Sequence, residues 1–192
     1  MQHEYEIKFI KIDKEAFVKK LSLLGFLCEK KEFLSQRKTF HFLQTEKNEW
    51  FRVRAEQWKV TMTYKCIHED SIKGVEEIEI QVNSFEWASE ILQKTGLINT
   101  AFQENTREIW VNGDIEVCID TWPWLNPYIE IEWPTERNVR KIVSELWLEW
   151  DEGIFWGSEV IYEKELGIPR EVFIKIPVVS FQNPPKIWNS EM

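Results

Sequence analysis

Alternation of apolar and polar residues runs through most of the chain and predicts a protein rich in β-strands. In residues 2–10, for example, Tyr5, Ile7 and Phe9 lie on one face and charged side chains lie on the other. The turn Asn112-Gly113-Asp114 joins two of the predicted strands as a hairpin. The same two-residue period predicts further strands at 37–43, 50–55, 58–66, 75–82, 106–112, 115–121 and 128–133.

Helical spacing predicts helices between these strands, at 13–25, 84–95, 135–148 and 158–166. No repeat, low-complexity tract or linker divides the chain. We therefore predict one domain over residues 1–178, followed by a C-terminal tail, 179–192, that either closes the domain or is loose.

Charge on the polar faces of the strands is the most informative feature of this pattern. Glu and Lys are disfavoured in strands, so their repetition on strand after strand needs a physical reason. A single charged pair usually marks a sheet face in contact with water. A solvated face, however, seldom separates acidic and basic pairs onto different strands. The groups here are Glu4/Glu6/Lys8, Arg52/Arg54, Lys65, Glu77/Glu79, Glu116/Asp120 and Glu130/Glu132.

One arrangement satisfies both faces of these strands. An antiparallel sheet that closes on itself places its apolar residues outward, under the predicted helices, and its charged residues inward. So many acids and bases cannot form a dry core, because removing them from water costs too much unless ligands and ions complete the set. The pattern therefore predicts an α+β fold, a β-barrel with a charged interior and flanking α-helices.

The bulk composition narrows the choice of partners. The chain has 192 residues, 43% of them hydrophobic, which is enough to bury a sizeable core. A formal net charge of -9 argues against nucleic acid as a partner. It allows a small phosphorylated ligand, held by a local cluster of bases and a divalent cation. Cys28, Cys66 and Cys118 form no CxxC pair, and no signal peptide or membrane span is visible, so we expect a cytoplasmic protein with no membrane partner.

The charged motifs resemble those of the CYTH superfamily, the triphosphate tunnel metalloenzymes. Glu4-Tyr5-Glu6-Ile7-Lys8 matches the ExExK signature of that group. ExExK alone is a weak pattern, but the whole series in family order is a strong one and covers nearly the whole chain. The series continues with Arg52-Val53-Arg54, Thr63-Tyr64-Lys65, Glu77-Ile78-Glu79, Arg107, Asp120 and Glu130-Ile131-Glu132.

The resemblance implies a closed eight-stranded antiparallel barrel in which bases bind a small-molecule triphosphate and acids hold Mg²⁺ or Mn²⁺. Glu4, Glu6 and Lys8 are the expected catalytic residues. The alternative interpretation is that the acids are surface residues of the strands and that the bases form cross-strand salt bridges with them. The implied substrate-binding residues are Lys8, Arg52, Arg54, Lys65 and Arg107. The implied metal ligands are Glu4, Glu6, Glu77, Glu79, Asp120, Glu130 and Glu132.

Three positions depart from the family pattern. Many members carry a Lys two residues before Arg107, where this chain has Asn105. Lys38 and Phe40 stand where many members have Asp and Tyr. The pattern does not decide whether Arg37 or Lys38 faces the interior.

The resemblance leaves the reaction open. Hydrolysis of inorganic tripolyphosphate, thiamine triphosphate or a nucleoside triphosphate is the first expectation, because it needs the fewest specific features. A class IV adenylate cyclase, which converts ATP to cyclic AMP and pyrophosphate, is the alternative. A non-catalytic triphosphate- or polyphosphate-binding module is a further alternative, and a generic β-barrel interaction protein is another. The intact set of acids favours an enzyme. The sequence allows a homodimer but identifies no interface.

Overall fold

Strands make up most of the ordered structure. The computed structural model describes residues 5–45, 48–67, 75–133, 135–155 and 157–183. The strands within these ranges are β1 (Tyr5–Phe9), β2 (Leu27–His41), β3 (Asn48–Ala55), β4 (Val60–Ile67), β5 (Val75–Val82), β6 (Ile98–Asn112), β7 (Ile115–Thr121), β8 (Tyr128–Trp133) and β9 (Val178–Val179). The α-helices are α1 (Lys14–Leu23), α2 (Phe85–Lys94), α3 (Glu136–Glu145), α4 (Ser158–Leu166) and α5 (Arg170–Phe173), and a 3₁₀ helix covers Trp150–Glu152.

Eight of the strands form one sheet in the order β1-β8-β7-β6-β2-β3-β4-β5, with antiparallel neighbours throughout. The short strand β9 pairs in parallel with β6. The sheet curls into a half-barrel with helices on its outside, which confirms the predicted α+β fold class. Closure of the barrel stays a prediction, because β1 and β5 are not paired with each other in the described part of the chain.

Two strands are much longer than the alternation predicts. β2 and β6 each extend over 15 residues and begin before the predicted strands 37–43 and 106–112. Their pairing shifts register between Cys28 and Lys30 and again between Lys30 and Phe33. A β-bulge inserts a residue and breaks the two-residue period, so the first half of β2 does not look like a strand in the sequence. These two strands join the two halves of the sheet.

The apolar faces of the strands point outward under helices, as the sequence predicts. Ile7, Val117 and Ile131 are fully buried in the core that α1 and α3 share with β1, β7 and β8. Phe40 and Val53 are fully buried in a second core, against α2. Each of these buried residues leaves its sequence neighbours facing the inside of the half-barrel.

Side-chain caps set where two of these helices begin. Asp13 accepts a hydrogen bond from the backbone N–H of Ala16 at the start of α1, and Ser84 accepts one from Trp87 at the start of α2. Such caps satisfy N–H groups that have no partner within the helix.

A third core forms at the end of the sheet where β7 meets β8. Here α4 and α5 pack against Trp122 and Tyr128. Tyr162 on α4 is fully buried, and its hydroxyl donates a hydrogen bond of 2.7 Å to the carbonyl oxygen of Pro123. Val179 in β9 is also fully buried. We call the segment from 158 to 180 the end wall.

None of the described helices is both long enough and apolar enough to cross a membrane.

Candidate functional site

Four basic side chains from three neighbouring strands form one side of the interior, which we call the basic wall. Its members are Arg37 on β2, Arg52 and Arg54 on β3, and Lys65 on β4. Arg37 lies directly opposite Arg54 in the β2–β3 register. Arg52 shares the face of Arg54, since residues two apart in a strand point the same way.

These like charges disfavour one another. Burial and then the neighbouring charges of Arg54, Arg52 and Arg107 lower the pKa of Arg37 to about 9. Burial and then Arg54 lower the pKa of Arg52 to about 10, and burial and then Arg52 lower the pKa of Lys65 to about 8. The basic wall is therefore a concentration of positive charge that its own surroundings only partly neutralise.

Glu77 and Glu79 on β5 partly neutralise the basic wall. Lys65 Nζ lies 2.7 Å from Glu77 Oε2, and Arg52 Nη2 lies 3.5 Å from Glu77 Oε1. Glu79 lies 3.8 Å from Arg54 Nη2 and accepts a 2.7 Å hydrogen bond from Thr63. In this structure the two acids contact bases, so their role as metal ligands stays a prediction.

The arginines of the basic wall have hydrogen-bond donors that no described residue accepts. The Nε atoms of Arg37, Arg52 and Arg54 are buried, and none has a hydrogen-bond partner among the described residues. The great majority of buried polar groups in proteins are hydrogen-bonded, so three such donors at one place are unusual. They are suited to oxygens of an anionic ligand.

Three carboxylates converge on the opposite side of the interior. Glu6 on β1 and Glu130 and Glu132 on β8 each place an oxygen within 4.8 Å of the others. We call this set the acidic cluster. Lys8 lies in contact with Glu6, and its Nζ is 3.3 Å from Glu130 Oε2. Glu4, the other ligand predicted from the N-terminal motif, lies outside the described residues.

The acidic cluster has the chemistry of a divalent-cation site. Burial and then the charge of Glu130 raise the pKa of Glu132 well above its usual value. Burial acts in the same direction on Glu130, but Lys8 and Arg107 outweigh it, so its pKa lies well below the usual value. Metal binding replaces protons on carboxyl ligands, so a cation here would let both glutamates be charged. Mg²⁺ and Mn²⁺ favour such oxygen donors.

Arg107 on β6 is held by acids rather than left available. Its Nε and Nη2 donate 2.7 Å hydrogen bonds to the two carboxylate oxygens of Asp120, and Nη2 also donates to Glu130 at 3.0 Å. Burial would lower the pKa of Arg107, but Asp120 in particular raises it well above the usual value. Asp120 thus contacts Arg107, which links it to Glu130, and it is not one of the three carboxylates of the acidic cluster. The predicted roles of both residues stay predictions.

The structure answers the question that the sequence left open on β2. Arg37 faces the interior, where its guanidinium lies 4.7 Å from the ring centroid of Trp122 and donates to the side-chain oxygen of Asn105. Lys38 points outward, with Nζ 4.9 Å from the ring centroid of Phe85 on α2. Phe40 was the available signal, because an apolar residue on a covered outer face assigns Lys38 to that same face.

The sequence matches the CYTH domain over residues 2–154. It is 34% identical over 133 residues to a provisionally named adenylate cyclase of Methanocaldococcus jannaschii, a match that covers 67% of this chain and 75% of that protein.

Two solved structures share the fold at lower identity. Protein PH1012 of Pyrococcus horikoshii matches with a TM-score of 0.69 and 19% identity, over 80% of this chain and 96% of that one. A provisionally named adenylate cyclase of Vibrio parahaemolyticus matches with a TM-score of 0.70 and 12% identity, over 84% and 98% of the two chains. The domain match, the archaeal relative and the ordered charged motifs lead to one conclusion: the chain belongs to the CYTH domain family.

Proposed function

We propose that the protein hydrolyses a triphosphate with the help of a divalent cation, and that the phosphate chain lies between the basic wall and the acidic cluster. The observation that supports this most is the pair of buried Nε donors on Arg52 and Arg54, which have no acceptor among the described residues. Phosphate oxygens are strong acceptors, and arginine binds them with two parallel donors.

The other residues of the basic wall would position the substrate. Lys65 adds a compact positive charge beside Arg52. The hydroxyl of Thr63 donates a hydrogen bond to Glu79, which holds these two side chains in place. Little covalent chemistry is required of a protein in phosphoryl transfer, because positioning and charge neutralisation account for most of the catalysis.

The acidic cluster would hold the cation. Divalent-metal dependence is general among the triphosphate tunnel enzymes of the CYTH family. A cation held by Glu6, Glu130 and Glu132 would supply a Lewis acid and neutralise phosphate charge. Lys8, in contact with two of these glutamates, would keep their carboxylates oriented and could reach a phosphate oxygen once a cation is present.

Cyclisation of ATP is the second candidate, favoured by the name of the archaeal relative at 34% identity. The nucleophile would then be the ribose 3′-hydroxyl and the products cyclic AMP and pyrophosphate. Both reactions need the same contacts to the triphosphate. They differ in the nucleophile, water in hydrolysis and the ribose 3′-hydroxyl in cyclisation, and in which phosphorus it attacks.

A product assay with a matched variant tests the proposal. Purified protein with Mg²⁺ or Mn²⁺ is given tripolyphosphate, thiamine triphosphate or ATP, and both free phosphate and cyclic AMP are measured. We expect the rate of phosphate release to fall by roughly tenfold to a hundredfold or more in Glu6→Gln. Loss of a residue that only hydrogen-bonds a metal ligand already lowers activity by about that factor. Glu90→Gln, the same chemical change at an exposed position on α2, is the control and should release phosphate at the wild-type rate.

Each outcome separates the candidates. Cyclic AMP from ATP in place of free phosphate would establish the cyclase. Tripolyphosphate binding with neither product would leave a binding module. Phosphate release that is equal in Glu6→Gln and the wild type would show that the acidic cluster takes no part.

A further inference from the structure

Arg37 holds a charge that its surroundings do not require. No carboxylate forms an ion pair with it among the described residues, and its nearest polar partner is the neutral side chain of Asn105. The guanidinium lies across the face of the buried Trp122, and its Nε has no acceptor in the same part of the chain. An unpaired, largely desolvated cation destabilises a folded protein unless something else uses it.

The neighbours of Arg37 add to that cost. Arg54 is its direct cross-strand partner, and like charges directly opposite one another in a sheet are destabilising. Arg107, by contrast, has its Nε and Nη2 occupied by Asp120 and Glu130. Arg107 is thus closely paired with carboxylates, whereas Arg37 has a buried Nε with no acceptor among the described residues.

We propose that Arg37, which is not among the binding residues implied by the sequence motifs, binds oxygens of the triphosphate directly, beside Arg52 and Arg54. The proposal rests on the proposed function, since it names an additional contact to the same ligand. The guanidinium is held over the ring of Trp122, and Asn105 accepts one N–H from its Nη2. Its Nε stays without an acceptor among the described residues.

Asn105 lies close enough to Arg37 for a side chain at position 105 to replace its charge. It lies two residues from the direct β6 partner of Arg37, Gln103, on the same face of the sheet. Diagonal neighbours of this kind are within reach of long side chains. An ammonium on a side chain at position 105 would therefore reach the place where the Arg37 guanidinium now lies.

The first test is the binding of tripolyphosphate, measured by titration calorimetry without a metal. We expect Arg37→Gln to weaken binding by roughly tenfold to a hundredfold, the range for loss of a hydrogen bond to a charged group. Lys38→Gln is the matched control: it removes the same charge from the next residue, on the outer face, and should bind as the wild type does. Equal affinities for Arg37→Gln and Lys38→Gln would overturn the proposal.

Thermal stability distinguishes a binding role from a structural one. If Arg37 serves the ligand, Arg37→Gln relieves like-charge repulsion and should raise the Tm of the free protein while it weakens binding. A residue that served only to hold Trp122 and Asn105 would give the opposite sign, a lower Tm with unchanged affinity. That pair of results would also overturn the proposal.

Transposing the charge provides a rescue. The double variant R37Q/N105K carries its cation on β6 instead of β2 and should recover most of the affinity that R37Q loses. Rescue cannot follow from loss of folding in R37Q, so it keeps the test decisive if R37Q proves unstable. Failure of R37Q/N105K to exceed R37Q in affinity, with both folded by circular dichroism, would contradict the proposed position of the guanidinium.

One further variant separates this proposal from the proposed function. Arg52→Gln should lose affinity whether or not Arg37 binds phosphate. If Arg52→Gln binds weakly and Arg37→Gln binds normally, only the role of Arg37 fails. If the wild type itself does not bind tripolyphosphate, the proposed function fails and the role of Arg37 fails with it.

Discussion

Two kinds of arginine meet inside the half-barrel. Arg107 Nη2 lies 2.7 Å from Asp120 and 3.0 Å from Glu130, whereas Arg52 and Arg54 lie 3.5–3.8 Å from carboxylates. A closely paired arginine positions its neighbours, and a loosely paired one keeps more of its attraction for an anionic ligand. Charges held in place before the ligand arrives cost no reorganisation on binding, which is how preorganised sites gain their strength.

Lys65 makes the affinity for phosphate depend on pH. Its pKa of about 8 means that it is charged at pH 7 and loses its proton as the pH rises through 8. Because phosphate binds the protonated form, the Kd for tripolyphosphate without metal should rise above pH 8, by up to about tenfold per pH unit. Titration calorimetry between pH 7 and pH 9.5 measures this.

Lys65→Arg is the control for that prediction. Arginine holds its proton to a higher pH than lysine does, so the variant should lose the part of the pH dependence near pH 8, while loss of the proton from Arg37, whose pKa is about 9, affects both proteins. Any titration of tripolyphosphate itself affects both proteins equally. The same slope in the wild type and in Lys65→Arg would assign the pH dependence to the ligand or to another residue.

Among the elements, β2 and β6 lie in the middle of the sheet and connect the strands of the basic wall with the strands of the acidic cluster. β2 contributes Arg37, and β6 contributes Asn105 and Arg107. Each strand spans 15 residues, and their pairing is the longest in the sheet. The position of every charge in the middle of the site therefore depends on the register between these two strands.

The elements also show where sequence reasoning succeeds and where it stops. Strict alternation, as in Glu77-Ile78-Glu79 or Arg52-Val53-Arg54, gives both the strand and the inward face, because one register fits both. The first half of β2 lacks that period, since bulges near Lys30 and Phe33 interrupt it. Residues 98–105 are mostly polar, so their strand is not visible as an amphipathic pattern.

Pairing between distant strands could not be predicted from local pattern. The sequence identifies Arg107 and Glu77 as charged residues facing inward, but which acid contacts which base depends on the strand order. β7 places Asp120 directly opposite Arg107, and β5 places Glu77 opposite Lys65. The contact of Arg37 with Trp122 likewise depends on the β7–β8 connection, which no strand motif contains.

The end wall is stabilised by a hydrogen bond that is lost when one oxygen atom, the hydroxyl of Tyr162, is deleted. Tyr162→Phe deletes the hydroxyl that donates to Pro123, leaving a buried carbonyl oxygen without that partner. We expect the free energy of unfolding to fall by about 1–3 kcal/mol, the usual cost of an unsatisfied buried group. Urea unfolding followed by tryptophan fluorescence measures this change. An unchanged midpoint would mean that water replaces the hydroxyl and that the end wall is open to solvent.

At the scale of the whole molecule, the net charge and the charge of the basic wall have opposite signs. The protein carries a formal charge of -9, yet its half-barrel concentrates four bases on one side. A negative exterior repels anions at long range, while the basic wall attracts them at short range. A ligand that carries many charges on few atoms gains most from such a site.

Tripolyphosphate should therefore stabilise the whole fold. At a concentration one hundred times its Kd, a ligand of the native state adds about 2.7 kcal/mol to the free energy of unfolding. In a chain of this size that corresponds to a rise of roughly 5–10 °C in Tm. Differential scanning fluorimetry with tripolyphosphate, monophosphate and sodium chloride at equal ionic strength measures the effect. An equal rise in sodium chloride would indicate general screening of charge instead of a site.

The diagonal contact between Arg37 and Asn105 also bears on how such a site can change during descent. Under the proposed role of Arg37, one positive charge reaches the same point in space from either of two adjacent strands. Selection then acts on the potential inside the half-barrel and not on a single codon. Under that role, a comparison of position 105 alone would count Asn105 as the lack of a binding residue, although Arg37 supplies a charge from the neighbouring strand.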